Sequence, residues 1–160
     1  NIGMITNELE IAAPPATVWD LTVDVERWPE LSPGTMRSLE RLDPGPLVVG
    51  SRVRVRQPAQ PARIWTVTVV DPERRFEWET RVAGSRMTAG HRLAPTAAGG
   101  CRNVLEVRLE GRGAGLLERL VRRSIAAAIA AENDGFRRAA EAAVGAHRPE
   151  GSDRAGGAGA

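Results

Sequence analysis

The sequence predicts an α+β fold in which one long C-terminal helix closes over a curved antiparallel sheet. Three observations predict it. Short segments with a period of two follow one another from residue 35 to 110, each ended by Pro- or Gly-containing turns. The period then changes to that of a helix from Ala114 to about Val144. No connection between the strands is long enough for a parallel crossover, so neighbours must run antiparallel.

The elements read in order as follows. Ile5 to Ile11 alternates apolar and polar residues and is a strand. Ala12-Ala13-Pro14-Pro15 ends it, because proline cannot donate to the ladder, and the prolines preset a helical first turn. Ala16 to Val23 is a short helix, with Trp19 in its packed face. A second covers about Val25 to Leu31, interrupted by Pro29 and ended by Ser32-Pro33-Gly34. Strands follow at Thr35–Leu42, Ser51–Gln57, Arg63–Val70, Phe76–Val82, Arg86–Leu93 and Arg102–Leu109. Asp71-Pro72-Glu73-Arg74 is a turn with proline at its second position. In the last helix, Leu117, Val121, Ile125, Ile129 and Phe136 form one stripe. Thirty helical residues span about 45 Å, enough to cross the sheet. Alanines at 126–128, 130 and 131 keep that helix thin, and Gly135 offers a point at which it can bend. The fold is expected to occupy residues 4–144 as a single ligand-binding domain, and 145–160 to be a low-complexity mobile tail.

Composition excludes several classes of function. The chain has 160 residues and a net charge of only +2, although its pI is near 9.8. Its arginines alternate along strands (Arg52, Arg54, Arg56) or lie among acids, so no cationic stripe suited to nucleic acid is expected. No run approaches the roughly 20 apolar residues of a membrane span. No leader is visible, and the residues before Met4 carry no weight. A single cysteine, Cys101, allows no intramolecular disulfide framework and suits a reducing, cytoplasmic setting. Asp24, Glu26 and Glu30 read as a helix-end surface cluster, so neither metal nor cofactor is expected.

Several local signatures accompany this element order: Ile11-Ala12-Ala13-Pro14, Val18-Trp19-Asp20-Leu21, the run from Val25 through Trp28-Pro29 to Leu31, Asp71-Pro72-Glu73-Arg74-Arg75-Phe76, and Gly135-Phe136-Arg137-Arg138. Over roughly residues 4 to 144 the chain resembles the START-related helix-grip superfamily (SRPBCC), in its polyketide cyclase/dehydrase-like branch. The resemblance implies a helix-grip fold, with a seven-stranded, strongly bent sheet wrapped around the C-terminal helix and two short helices after the first strand. It also implies an enclosed ligand cavity, and it carries no catalytic residue across, because these motifs are structural.

Strand parity selects the residues that would face such a cavity. Met87, Ala89, His91 and Leu93 share one face, as do Asn103, Leu105, Val107 and Leu109, whereas Arg102, Glu106, Arg108 and Glu110 face water. Phe76, Trp78 and Thr80 point in, and Glu77, Glu79 and Arg81 point out. In 63–70 the favoured inward set is Trp65, Val67 and Val69, subject to any bulge. Trp28, beside Pro29, stands at the expected mouth, as plug or ligand contact. Ile125, Ile129 and Asn133 face in from the helix. The lining is apolar, with His91, Thr80, Asn103 and Gln57 as sparse polar points and no tyrosine to supply a phenol.

His91 is the sole catalytic candidate, as a general base, and has no titratable partner, since every strand carboxylate that parity places lies outside. His147 lies past the last helix. Three functions fit: a binder of a small apolar molecule (lipid, isoprenoid or polyketide-like), a polyketide cyclase or aromatase using His91, and a module that docks a protein partner. The expected partner is a small apolar ligand, with the chain a monomer or homodimer.

Overall fold

The computed structural model describes residues 3–146. Seven strands, β1 (Met4–Ile11), β2 (Ser38–Arg41), β3 (Arg52–Arg56), β4 (Arg63–Asp71), β5 (Arg75–Val82), β6 (Ser85–Pro95) and β7 (Cys101–Glu110), form one sheet. Its order is β1-β7-β6-β5-β4-β3-β2, every pair antiparallel. The chain meanders from β2 to β7 because each connection is short, and β1 closes the far edge against β7. The tight β5–β6 hairpin uses Ala83 and Gly84, both at positive φ, as a two-residue turn matched to strand twist requires. Helix α1 (Pro15–Val23), a single 3₁₀ turn (Val25–Arg27) and α2 (Trp28–Leu31) join β1 to β2, while α3 (Ala114–Ala146) lies across β1 and β7. This is the predicted fold, with a shorter β2 and α3 running on through Gly145 and Ala146. The rest of the predicted tail, His147 included, lies outside the described residues.

Two details correct the strand reading. A bulge between Val67 and Val69 switches parity in β4: Val67 pairs with Trp78 and faces in, Val69 pairs with Glu77 and faces out, and Val70 pairs with Phe76. Glu77 and Glu106, on the outer face, are nonetheless buried. They flank Gly90, whose missing side chain lets both stems fold inward, with Glu77 Cγ and Glu106 Cγ 3.1 and 3.5 Å from where a Cβ would stand. Arg75 Nη2 meets Glu77 Oε1 at 2.7 Å and Arg92 Nε meets Glu106 Oε1 at 2.8 Å, so these carboxylates are shielded by their own ion pairs.

Gly135 does something other than bend the helix. A Cβ there would lie 2.2 Å from the Leu31 carbonyl oxygen, a backbone atom that cannot swing aside. The glycine therefore sets how closely α3 seats on the end of α2. Gly135→Ala is expected to lower unfolding free energy by about 1–3 kcal/mol, despite alanine's better helix propensity. Gly145→Ala, with nothing within 4 Å, should be neutral or slightly stabilising. Urea melts of the two variants compare them, and equal midpoints would refute the close-seating account.

Candidate functional site

Between the concave face of the sheet and α3 lies a cavity of about 420 Å³, within the range that holds a small organic molecule. Its closed end is aromatic. Trp28 stands 5.1 Å from Trp78, 5.2 Å from His91 and 5.7 Å from Phe136 between ring centroids, and Trp65 lies 5.3 Å from Trp78. Trp28 donates its indole N–H to the Leu21 carbonyl at 3.1 Å, which fixes the ring. Trp28 is thus a buried floor residue and not the mouth residue the sequence suggested. Trp28 opens α2 with Pro29 in its first turn, and the one-turn helix aims the indole inward.

The mouth lies at the opposite end, where the β3–β4 loop faces the first half of α3. Gln60 and Ser124 belong to the wall there and are exposed, and Leu117 and Val121 are only half-buried. Gln57 donates to the Thr35 carbonyl at 3.3 Å, and Arg63 donates to the Arg81 carbonyl at 3.3 Å and has no acidic partner among the described residues.

Eleven of the residues selected from the sequence as cavity-facing meet in the wall: Trp28, Gln57, Trp65, Trp78, Met87, Ala89, His91, Leu105, Val107, Ile125 and Ile129. Others stand away from it, Val69, Thr80, Leu93 and Leu109 among them. Val67 and Phe76 are buried in the core behind the aromatic floor, Phe76 edge-on to Trp78 at 5.4 Å. Asn103 and Asn133 are spent on each other. Asn103 Nδ2 donates to Asn133 Oδ1 at 2.9 Å, and Asn133 Nδ2 donates to Asn7 Oδ1 at 2.9 Å, Asn103 O at 3.1 Å and Asn7 O at 3.2 Å. This clasp ties α3 to β1 and β7 and satisfies both ends of the Asn133 amide, while Asn103 Oδ1 is buried without a partner.

Besides Arg63 at the mouth and Glu106, whose carboxylate is paired with Arg92, two titratable groups line the cavity. His91 is enclosed among Trp28, Phe76 and Phe136, and its Nδ1 is buried without a partner. Burial alone pushes its pKa down to about 3, so the imidazole is neutral at physiological pH. The second is Glu132, which the strand-by-strand reading missed. It stands on α3 one turn beyond Ala128 and Ile129, where burial pushes its carboxyl up to about 7, tempered by the Thr35 hydroxyl. It retains some accessible surface, consistent with a side chain that faces a cavity. Its spacing from Ile125 (i+7) was the available signal, obscured because the stripe was drawn through apolar residues only.

His91 makes acid a specific threat. With a folded pKa near 3 against 6.5 for the free group, its contribution to stability is complete above about pH 6.5. That contribution is lost as pH falls toward 3, at up to about 1.4 kcal/mol per unit. His91→Phe should flatten this part of the acid limb, read as the difference in urea midpoint from the parent between pH 7 and 4. Parallel curves would show that His91 does not titrate this way.

A bent antiparallel sheet gripping a long helix around an apolar cavity defines the helix-grip class of ligand-enclosing proteins. The family model described as "Polyketide cyclase / dehydrase and lipid transport" matches residues 4–141, and the chain belongs to that family. Two curated relatives bear the description "Putative polyketide cyclase". One, from Streptomyces halstedii, is 41% identical over 69 residues, 40% of this chain and 57% of the relative. The other, from Streptomyces cyaneus, is 62% identical over 29 residues, 18% of this chain and 19% of the relative. The matches thus span less than two thirds of either relative's length. Among solved structures, TTHA0849 from Thermus thermophilus is similar with a TM-score of 0.69 and 23% identity, over 88% of this chain and 99% of that one. The Zhui aromatase/cyclase from Streptomyces sp. R1128 is similar with a TM-score of 0.62 and 22% identity, over 86% and 96%. A START superfamily protein from Mycobacterium smegmatis has a TM-score of 0.66 at 14% identity, over 86% and 98%. At these identities the likeness is one of fold. Family and fold together point to hydrophobic-ligand binding or a polyketide cyclase-like function. No described helix is long and apolar enough to cross a membrane.

Proposed function

We propose that this chain encloses a small, largely apolar polyketide-like molecule and catalyses its cyclisation or dehydration, with Glu132 as general base and acid. The observation that carries the reading is the Glu132 carboxyl group, which stands in the wall of an apolar cavity and is held near a pKa of 7 by burial. A group so tuned is present in both protonation states at neutral pH, which suits it to take a proton and return it.

In an aldol cyclisation the Glu132 carboxylate removes a proton from a methylene between two carbonyls. The enolate carbon then bonds to a second carbonyl carbon of the same chain. The alkoxide formed takes the proton back from Glu132. For dehydration the regenerated carboxylate removes the remaining proton from the same α-carbon, the C–O bond breaks as the double bond forms, and Glu132 passes that proton to the departing hydroxyl, which leaves as water. The aromatic floor of Trp28, Trp65 and Trp78 favours flat, conjugated rings, and the narrow cavity holds the chain in the folded shape that ring closure needs. His91, neutral and too weak a base at a pKa near 3, takes a supporting place in the floor.

The test pairs tryptophan fluorescence with turnover. A diaromatic polyketide mimic should quench the fluorescence at saturable concentration. A linear poly-β-ketone should be converted to a product of the same mass, or of that mass less water, faster than in buffer. Quenching without conversion would leave the chain a carrier of such molecules, and neither would discard the cavity as a site for this class.

A further inference from the structure

The first half of α3 is apolar on two faces, and the cavity uses only one of them. At about 100° per residue, Leu117, Val121, Ser124 and Ala128 fall on the flank that lines the cavity. Leu116, Arg119, Leu120 and Arg123 fall on a second stripe, roughly 130° around the helix and pointing to solvent. Leu116 and Leu120 expose 65% and 73% of their surface, the two most exposed large apolar side chains among the described residues. Arg119, Arg123 and, just before the helix, Arg112 are exposed, and none has an acidic partner among the described residues. The only acid on this half of the helix, Glu118, is taken by Arg122. From Gly115 to Ala128 no residue is fully buried, so this half-helix sits lightly on the sheet.

We infer that this face of α3 is a docking surface for an anionic phospholipid bilayer. Protruding leucines between unpaired arginines are the pattern of a helix that lies in a membrane interface, the leucines among the acyl chains and the guanidinium groups at the phosphates. The stripe is the exposed convex side of a helix, a shape that fits a fluid surface better than a folded protein of complementary shape. Its unpaired positive charge opposes a second copy of itself. Docked this way, the mouth lined by Leu117, Val121 and Ser124 lies beside the bilayer on the same helix, and an apolar molecule reaches the cavity without crossing water. This inference stands on the outer stripe and does not require Glu132 to be catalytic.

Sedimentation with vesicles tests it. The protein should pellet with phosphatidylcholine vesicles containing phosphatidylserine and stay in solution with phosphatidylcholine alone, and binding should weaken with salt. Arg119→Gln with Arg123→Gln should lower partitioning roughly 30-fold, about 1 kcal/mol for each arginine. Leu116→Ser with Leu120→Ser should lower it at least about tenfold. These side chains touch little, so both double variants should melt like the parent. A Leu120→Cys protein carrying a polarity-sensitive dye gives an independent readout, since Cys101 is buried. Its emission should shift to the blue on anionic vesicles. Absence of pelleting with phosphatidylserine would overturn the inference. So would a leucine double variant that binds as well as the parent, or a doubling of mass in solution that the leucine variant abolishes.

Discussion

Glu132→Gln is expected to retain ligand binding and to lose turnover by about 10²–10⁴-fold, the usual contribution of a positioned general base. Glutamine preserves the length and the hydrogen-bonding capacity of the side chain, so quenching of Trp28, Trp65 and Trp78 by a ligand should change little. Parent turnover should follow one ionisation near pH 7, rising as Glu132 loses its proton, and the variant should lack that step. Stability supplies a readout independent of substrate. The folded-state pKa lies above the ordinary 4.5, so the stability this group contributes is complete below about pH 4.5 and is lost as pH rises through 7. Glu132→Gln should therefore match the parent in acid and melt higher than it at pH 8 to 9. A variant that turns over normally would return the chemistry to His91 or leave a carrier. One that melts in parallel with the parent at every pH would show that Glu132 is not desolvated.

Asn133→Ala is expected to cost about 3–5 kcal/mol, a larger stability loss than that expected of Gly135→Ala. The change deletes four hydrogen bonds and leaves the Asn103 side-chain N–H, which is fully buried, without its acceptor. Asn103→Ala should also be costly. The double variant, however, should lose less than the sum, because neither amide then leaves the other stranded. Denaturant melts of the three proteins measure this coupling. A loss below about 1 kcal/mol for Asn133→Ala, or strict additivity, would mean that the clasp does not hold α3 to the sheet. The same substitution should leave the cavity wall chemically unchanged, since Asn133 stands outside it.

The sequence by itself determined the architecture. Alternation along Arg52–Arg56, the turn chemistry at Asp71-Pro72 and the change of period at Ala114 are local properties, and strands with short connections have only antiparallel solutions. The strand-borne wall residues Trp65, Trp78, Met87, Ala89, His91, Leu105 and Val107 were readable for the same reason: once one residue of a strand faces in, parity dictates the others. What tertiary structure alone decided depends on contacts between distant segments. The bulge at Val67–Val69 reversed a parity that the local pattern permitted either way. Gly90, on the third strand of the sheet counted from β1, admitted two carboxylates to the buried outer face. Asn103 and Asn133, thirty positions apart, bonded to one another and so left the cavity. Trp28 reached the floor because a single turn of helix aimed it there. Glu132 became a neutral-pH acid because the sheet and the Thr35 segment close over it, and no neighbour in sequence carries that information. Period and turn chemistry are written residue by residue, whereas desolvation and hydrogen-bond satisfaction belong to the folded environment.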